Sequence, residues 1–378
     1  MDRAFLIALM VIALAVLRQR KFDLWSAIKE NKLLILLVVF MLVSILWSNI
    51  PFISFKRWTR QMAALLMVFI LLSESSPRLA LESVLRRMTY ILIPFSLVLI
   101  KYFPTYGRLY NPYTGDEMWA GVAQTKNTLG ILCVIAGFFL IWTLIRRRRG
   151  NNPARWKYQT QSELLLLGVT LYLLRGSQSA TAISVFLVGL FAYLVFYLAT
   201  KNRLHVGPKA LAIVLTVIII VGTITPFTSA SGLGRFARYL GRSSTLTGRT
   251  DIWDSILPFL KNRLALGLGF GGFWTSETVK AAQDVNETHN GYLEVILNIG
   301  IVGLVLVSLL LLSYGRKAQH ELTRDFDWGV IWSCFLIMYA IHNITESSLN
   351  DLSGALTTTV IFLSTLPVRE LRQSGNQH

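Results

Sequence analysis

Apolar stretches of membrane-spanning length recur along the whole chain, and they constrain its fold more than any other feature of the sequence. Of the 378 residues, 53% are hydrophobic and only 15% are charged, against roughly 25% charged residues in an average soluble domain. Because so few charges cannot cover a soluble globule, the pattern predicts an all-α, polytopic transmembrane helical bundle. It excludes a soluble enzyme, a disordered chain and a secreted disulfide-rich protein.

The apolar segments predict about 10–12 spans, several of them shorter than the ~20 residues that a straight span needs. They are residues 4–17, 33–47, 58–72, 88–101, 119–145, 163–174, 180–199, 210–226, 292–313, 328–346 and 354–367. We therefore expect N-terminal transmembrane helices over 1–226, a large extracytoplasmic loop with short amphipathic helices over 227–291, and C-terminal transmembrane helices over 292–378.

The net charge of +17 does not indicate a nucleic-acid partner, because the basic residues lie mostly between the apolar segments. The loops predicted on one side contain 22 Lys and Arg, whereas the N-terminus and the short segments on the other side contain 8, counted with the adjoining ends of the apolar segments. Since Lys and Arg accumulate in cytoplasmic loops, this bias places the large loop outside the cytoplasm. The cluster Arg146–Arg149 is interpreted as a cytoplasmic topology anchor.

The large loop contains a first candidate catalytic residue, Arg249. Thr247 or Asp251 is predicted to cap an amphipathic helix that runs to about residue 262 and lies against the membrane surface. Arg249 would then stand at the start of this helix, where a guanidinium and unpaired backbone N–H groups both attract anions.

A glycine-rich run at 267–272 follows in the same loop and contains the pattern G-x-G-x-x-G. No βαβ unit surrounds it, so a dinucleotide site is rejected. We interpret the run as a tight turn that allows close backbone packing.

His289 ends the large loop, in the sequence His289-Asn290-Gly291 directly before a span. A histidine at a membrane edge is often an interfacial hydrogen-bonding residue, and it is also a good general base near neutral pH. The residues alone leave both interpretations open.

Further polar clusters occur where apolar side chains would be less costly. They are Lys56, Arg57 and Arg60, then Lys126 and Asn127, and then Arg175, Ser177 and Ser179. An arginine at membrane depth costs roughly 3 kcal/mol on insertion scales, so it usually faces a cavity or a partner; snorkelling to the interface is the alternative. Cations and a histidine on one face of a lipid-embedded bundle suit a substrate with an anionic head and an apolar tail, such as a lipid pyrophosphate.

The order and spacing of these motifs resemble the O-antigen ligase and polymerase superfamily of bacterial envelope proteins, most closely its exopolysaccharide-production branch. The motifs that carry the resemblance are Leu46-Trp47-Ser48 before Pro51, Lys126-Asn127-Thr128-Leu129-Gly130, Ser177-Gln178-Ser179-Ala180-Thr181, Thr247-Gly248-Arg249 with Trp253, the glycine turn, and His289-Asn290-Gly291-Tyr292. Ala180 departs from the family pattern, in which many relatives have a basic residue there.

The resemblance implies an inverting, GT-C-like membrane glycosyltransferase of the bacterial cytoplasmic (inner) membrane, with its active site facing the periplasm. It would move a glycan from undecaprenyl pyrophosphate to the hydroxyl of a glycan or lipid-anchored acceptor, without cofactor or metal. The family's catalytic arginine and histidine correspond to Arg249 and His289. Lys56, Arg57, Arg60 and Arg175 are the expected pyrophosphate ligands, and Lys126, Asn127, Ser177, Ser179 and Asn290 the expected substrate ligands.

Alternatives stay open at this point. A ligase and a polymerase differ only in their acceptor, and either would work beside other polysaccharide-assembly proteins. A transporter or flippase of lipid-linked saccharide would belong to a different class and would predict charges deep within the spans. A non-catalytic envelope scaffold is a third alternative.

Overall fold

The computed structural model describes residues 3–110, 115–149, 157–202, 207, 209–230, 244–282 and 285–366. Within these ranges the regular secondary structure is helical apart from one pair of short antiparallel strands. The predicted class, an all-α polytopic helical membrane protein, is confirmed.

Helices follow one another along the chain with short connections. In chain order they are α1 (Arg3–Gln19), α2 (Leu24–Glu30), α3 (Lys32–Ser44), α4 (Pro51–Leu72), α5 (Pro77–Tyr102), α6 (Pro104–Gly107), α7 (Lys126–Arg149), α8 (Lys157–Gly176), α9 (Ala180–Lys201), α10 (Ala210–Ala230), α11 (Ser244–Ile256), α12 (Ser276–Ala281), α13 (Gly291–Arg324), α14 (Phe326–Thr345) and α15 (Ala355–Thr365). Short 3-10 turns follow α3 (Ile45–Trp47) and α11 (Leu257–Leu260), and strands β1 (Arg108–Tyr110) and β2 (Glu117–Trp119) lie between α6 and α7.

Six of the described helices are long and apolar enough to cross a membrane, namely α5, α7, α9, α10, α13 and α14. Helices α2 and α3 meet at 94° and count together as a seventh if they form one bent span. Every apolar segment predicted from the sequence overlaps a helix. The segments that do not belong to these candidate spans lie on α1, α4, α8 and α15, which are shorter or more polar. The count of 10–12 spans stays a prediction.

The described residues form two compact units. One unit draws on residues 1–73, 208–317 and 339–378, and the other on residues 74–207 and 318–338. The division at 226 and 291 that we expected from the sequence stays a prediction.

The second unit is built around α7, which is apolar on nearly every side and therefore buried along most of its length. Its last turn contributes the predicted topology anchor. Three of these arginines form ion pairs: Arg146 with Glu82 at 3.1 Å, Arg147 with Glu163 at 2.8 Å and Arg149 with Asp327 at 2.9 Å. The apolar segment predicted to start at residue 119 becomes helical only at Lys126, because β2 and a turn precede it.

The first unit corrects the predicted helix around Arg249. Helix α11 begins at Ser244, so neither Thr247 nor Asp251 caps it and Arg249 lies inside the helix. It ends at Ile256 rather than near residue 262, because the residue before Pro258 disfavours the α conformation and the chain continues as a 3-10 turn.

The apolar face of α11 packs against protein rather than lying on the membrane surface, which also corrects the expectation. Ile252, Trp253 and Ile256 are buried in one cluster with residues of the glycine-turn segment and of α13. Such a contact removes as much apolar area from water as a membrane surface would. It also fixes α11 relative to the start of α13.

The glycine-rich run forms the tight turn that the sequence predicts. Gly267, Gly269 and Gly271 have φ angles of +66°, +89° and +63°, which residues other than glycine rarely adopt. A Cβ atom at Gly267 would lie 2.7 Å from the backbone of Asn298. Helix α13 breaks at Gly300, which has φ +69°. Residues 264–268 form backbone hydrogen bonds with α13 on both sides of this break.

Candidate active site

Two carboxylates, one imidazole and one guanidinium meet in the first unit. The Nδ1 atom of His289 lies 3.2 Å from Oε1 of Glu287 and 3.9 Å from Oε2 of Glu346. The other oxygen of Glu346 lies 3.5 Å from an Nη atom of Arg249. Glu346 therefore stands between the two residues that the sequence singled out, and we call these four residues the His–Arg cluster.

Three separate parts of the fold supply the His–Arg cluster. Arg249 lies on α11, Glu287 and His289 lie in the loop before α13, and Glu346 directly follows the last residue of α14. Glu346 is fixed there because its backbone N–H donates to the carbonyl of His342 at 3.0 Å. The carboxylate is nearly buried, at 8% exposure, whereas the side chains of His289 and Arg249 are 24% and 20% exposed. The side chains of His289 and Arg249 can thus still contact a substrate.

The loop that carries His289 is held by hydrogen bonds on both sides. Buried Trp253 of α11 donates its indole N–H to the carbonyl of Thr288 at 2.8 Å. The hydroxyl of Thr288 donates to the carbonyl of Asn290 at 2.7 Å and lies 3.0 Å from the hydroxyl of Ser347. His289 itself has φ +50°, a conformation that a non-glycine residue keeps only where its surroundings impose it. The imidazole is therefore placed by a rigid loop.

Asn290 has a structural role in this arrangement, and its assignment as a substrate ligand stays a prediction. Its side chain is fully buried, and its amide donates to the carbonyls of Gly222 at 3.0 Å and Ile344 at 3.1 Å. Its Oδ1 accepts from the backbone N–H of Leu293 at 2.9 Å, so it caps the start of α13. Its donors and acceptor are thus used within the fold.

Buried Glu294 connects the His289 loop to the glycine turn. Its carboxylate accepts from the backbone N–H of Thr288 at 3.2 Å, from the indole of Trp274 at 2.8 Å and from the amide of Asn298 at 3.0 Å. Asn298 in turn accepts from the backbone N–H of Gly271 at 2.8 Å. The glycine turn and the histidine loop therefore belong to one hydrogen-bonded network.

The three basic residues of α4 differ in their surroundings. Arg57 donates to the carbonyl of Gly271 and so joins the glycine turn. The Nζ atom of Lys56 lies 3.9 Å from the centre of the Phe52 ring, and Arg60 is exposed. Arg57 is thus the member of this cluster that the described contacts tie to the network around Glu294.

The remaining predicted site residues lie in the second unit. Ser179 caps α9, because its hydroxyl accepts from the backbone N–H of Ala182, and it also donates to Oδ1 of Asn127 at 3.0 Å. The bond between Ser179 and Asn127 joins the starts of α7 and α9. Ser177 is buried, and its hydroxyl donates to the carbonyl of Leu174 at 2.7 Å.

Lys126 and Arg175 are the cations of this second group. Lys126 is half-buried in the first turn of α7, and Arg175 is exposed in the last turn of α8. Buried Ser177 and Ser179 also support the local backbone. The assignment of this group to a ligand site stays a prediction.

The electrostatics of the His–Arg cluster favour a protonated imidazole. Burial lowers the pKa of His289, but the carboxylates of Glu346 and Glu287 more than offset this, and the pKa lies above its ordinary value of 6.5. Arg249 opposes the rise. Burial raises the pKa of Glu287, with a further contribution from Glu346, while His289 and Arg249 oppose it.

The His–Arg cluster also has the ligand types of a metal site. One ligand atom each of Glu287, His289 and Glu346 lies within 4.8 Å of the others. Nitrogen and carboxylate ligands of this kind suit several divalent metals. However, the guanidinium of Arg249 already places a positive charge beside Glu346. Metal independence stays a prediction, with a chelator as its test.

Sequence reasoning missed the two carboxylates of the His–Arg cluster. Glu287 stands two residues before His289, and Glu346 ends the apolar segment 328–346. An acidic residue at the predicted outer end of a span is a usable signal, because such residues are costly near lipid and usually have a partner.

The chain is similar in sequence to known proteins. The family model described as O-antigen ligase matches residues 164–308, a range that contains both Arg249 and His289. The chain is also 22% identical over 306 residues to the exopolysaccharide production protein ExoQ of Rhizobium meliloti (strain 1021). That match covers 76% of this chain and 66% of the relative, slightly less than two thirds of its length.

Fold and site together define a multi-pass helical membrane protein with a site that combines an arginine, a histidine and two carboxylates. The resemblance to the O-antigen ligase superfamily, and within it to the exopolysaccharide-production branch, is confirmed.

Proposed function

We propose that this protein is an inverting membrane glycosyltransferase that moves a glycan from undecaprenyl pyrophosphate to an acceptor hydroxyl. The acceptor is a second glycan or a lipid-anchored saccharide, so the enzyme acts as a polymerase or as a ligase. It works in the bacterial cytoplasmic membrane with its site facing the periplasm, beside other polysaccharide-assembly proteins. The observation that carries the proposal is the meeting of Arg249 and His289 at Glu346.

The reaction has a simple balance. The acceptor oxygen forms a bond to the anomeric carbon while the bond from that carbon to the pyrophosphate oxygen breaks. The hydroxyl proton passes to His289, and undecaprenyl pyrophosphate leaves with the bonding electrons. Since the glycosyl–pyrophosphate bond already stores the free energy of transfer, the reaction needs no nucleotide.

His289 acts as the general base in this proposal. Glu346 and Glu287 stabilise the imidazolium that forms when the proton arrives, because both carboxylates face Nδ1. Glu346 is thus a positioning residue, with one oxygen towards His289 and the other towards Arg249.

Arg249 acts on the leaving group. A guanidinium pairs well with phosphate oxygens and cannot lose its charge, so it stabilises the negative charge that develops as the pyrophosphate departs. Arg57, Lys56 and Arg60 of the same unit are proposed to add to this positive potential. Arg175 is proposed as a further pyrophosphate ligand, and Lys126 and Asn127 are proposed to bind phosphate or sugar.

The proposal predicts a shift in the pH profile of the Glu346→Gln variant. His289 accepts a proton only when neutral, so activity is lost as the pH falls through its pKa. Because the Glu346 carboxylate raises that pKa, its removal should move the acid limb to lower pH. Initial rates between about pH 5 and 9 measure the shift.

The matched control for this shift is Glu277→Gln, which removes an exposed carboxylate of α12, outside the His–Arg cluster. It should leave the acid limb in place. An acid limb that is identical in Glu346→Gln and in the wild type would contradict the role of Glu346.

The proposed function as a whole is tested by reconstitution. Purified protein in lipid vesicles receives an undecaprenyl-pyrophosphate oligosaccharide and candidate acceptors, without nucleotide and with a metal chelator. We expect a new glycosidic bond, and the reducing end of the product distinguishes a polymerase from a ligase. A donor with a monophosphate carrier should not react, because it lacks the better leaving group.

Two outcomes would contradict the proposal. Movement of the saccharide across the bilayer without a new bond would indicate a transporter. Loss of transfer on chelation, with recovery on addition of a divalent metal, would instead assign a metal to Glu287, His289 and Glu346 and overturn metal independence.

A further inference from the structure

A cavity of about 270 Å³ lies at the bend between α2 and α3, away from the His–Arg cluster. Its walls come from the end of α2, the start of α3 and the later part of α13. Its lining includes Lys29, Glu30, Lys32 and Lys317 together with Leu34 and Leu310. Neither the family resemblance nor the proposed transfer assigns a role to it.

The cavity carries an excess of positive charge. Three lysines line it, Lys29, Lys32 and Lys317, against one carboxylate, that of Glu30. The Nζ atom of Lys317 donates to Oδ1 of Asn31 at 3.1 Å and to the carbonyl of Ser364 at 2.9 Å. Both acceptors are neutral, so they fix the ammonium group in place without compensating its charge.

The start of α3 adds to this attraction for anions. Asn31 stands at the N-cap position, but its side chain makes no capping hydrogen bond, because its amide donates to Ala27 and its Oδ1 accepts from Lys317. The first N–H groups of a helix lack partners within the helix and carry a partial positive charge. Lys32, Leu33 and Leu34, which supply these groups, line the cavity.

The surroundings of the cavity fit the depth of lipid headgroups. Helix α2 runs at 94° to α3 and exposes the apolar side chains of Leu24 and Trp25, as expected of a segment lying in the membrane interface. The Nζ atom of Lys29 lies 5.2 Å from the centre of the Trp25 ring. A basic cavity with leucine walls therefore matches a molecule that joins a phosphate to acyl chains.

We propose that this cavity binds the phosphate of an anionic phospholipid. The positive bias of residues 18–32 and 314–327 places the cavity at the cytoplasmic leaflet. Lys29 and Lys32 contact the headgroup, Lys317 and the start of α3 hold its phosphate, and the leucines face the first part of the acyl chains. This site does not depend on the proposed glycan transfer.

Native mass spectrometry of the delipidated full chain in detergent tests the lipid site. Phosphatidylglycerol, phosphatidylcholine and inorganic phosphate are added in separate titrations. We expect saturable binding of one phosphatidylglycerol with a clear preference over phosphatidylcholine. The double variant Lys29→Gln/Lys32→Gln should bind it about tenfold more weakly or worse, because each basic residue near a lipid surface contributes to attraction of anionic headgroups.

The matched control is Lys21→Gln, which removes an exposed charge from the same loop without touching the cavity. It should bind phosphatidylglycerol as the wild type does. The substituted lysines of the double variant are exposed, so folding is expected to persist. Equal binding of both lipids, an unaffected double variant, or binding of inorganic phosphate without preference for phosphatidylglycerol would overturn the lipid site.

Discussion

Replacing His289 with alanine should lower glycan transfer by about 10²- to 10⁴-fold, the range that a positioned general base contributes. The imidazole is the titratable group that both carboxylates of the His–Arg cluster face. Without it, the acceptor hydroxyl must release its proton to water, and the charge of Glu346 and Glu287 no longer stabilises a protonated base. Initial rates in the reconstituted system measure the loss.

A second variant separates the chemistry of His289 from its backbone conformation. Because His289 has φ +50°, alanine there is strained, whereas asparagine tolerates positive φ but accepts no proton near neutral pH. The His289→Asn variant should therefore insert into the membrane and unfold at the same temperature as the wild type, and still be inactive. His320→Ala, at an exposed position outside the His–Arg cluster, is the matched control and should be active. Near-normal rates in either His289 variant would contradict the role of a general base.

The helices of this protein follow from local sequence because their apolar runs are long. Each predicted apolar segment overlaps a helix, since a backbone within lipid must satisfy its hydrogen bonds internally. The helix boundaries are predicted less accurately. Helix α11 starts at Ser244 rather than at a cap near Arg249, and it ends at Ile256 because Pro258 follows.

The site was predictable in its cation and its imidazole but not in its carboxylates. Arg249 and His289 stand out because each lies in a recognisable motif, Thr247-Gly248-Arg249 and His289-Asn290-Gly291-Tyr292. Their meeting depends on Glu346, 57 residues after His289 along the chain, and no local pattern encodes a contact between the end of one span and the loop before another. Asn290 shows a second limit of the sequence, because the same amide side chain serves as a buried helix cap or as a ligand, and only the structure shows the cap.

Replacing Arg249 with alanine should lower transfer by about 10²- to 10³-fold, the usual cost of removing one group that stabilises developing negative charge. Arg249→Lys should recover only part of the activity, because an ammonium group keeps the charge but not the paired N–H donors that match phosphate oxygens. Arg263→Ala, an exposed arginine of the same loop outside the His–Arg cluster, is the matched control and should remain active.

A double variant distinguishes a pyrophosphate ligand from a mere partner of Glu346. If Arg249 served only to neutralise Glu346, which lies 3.5 Å away, then Arg249→Ala/Glu346→Gln should regain activity, since neither charge is left alone. If Arg249 holds the leaving group, the double variant stays as inactive as Arg249→Ala. Loss of Arg249 also raises the pKa of His289, because Arg249 lowers that pKa in the wild type; rates are therefore compared at a pH well above the acid limb. Recovery of transfer in the double variant there would reject Arg249 as a pyrophosphate ligand and leave it a purely structural partner of Glu346.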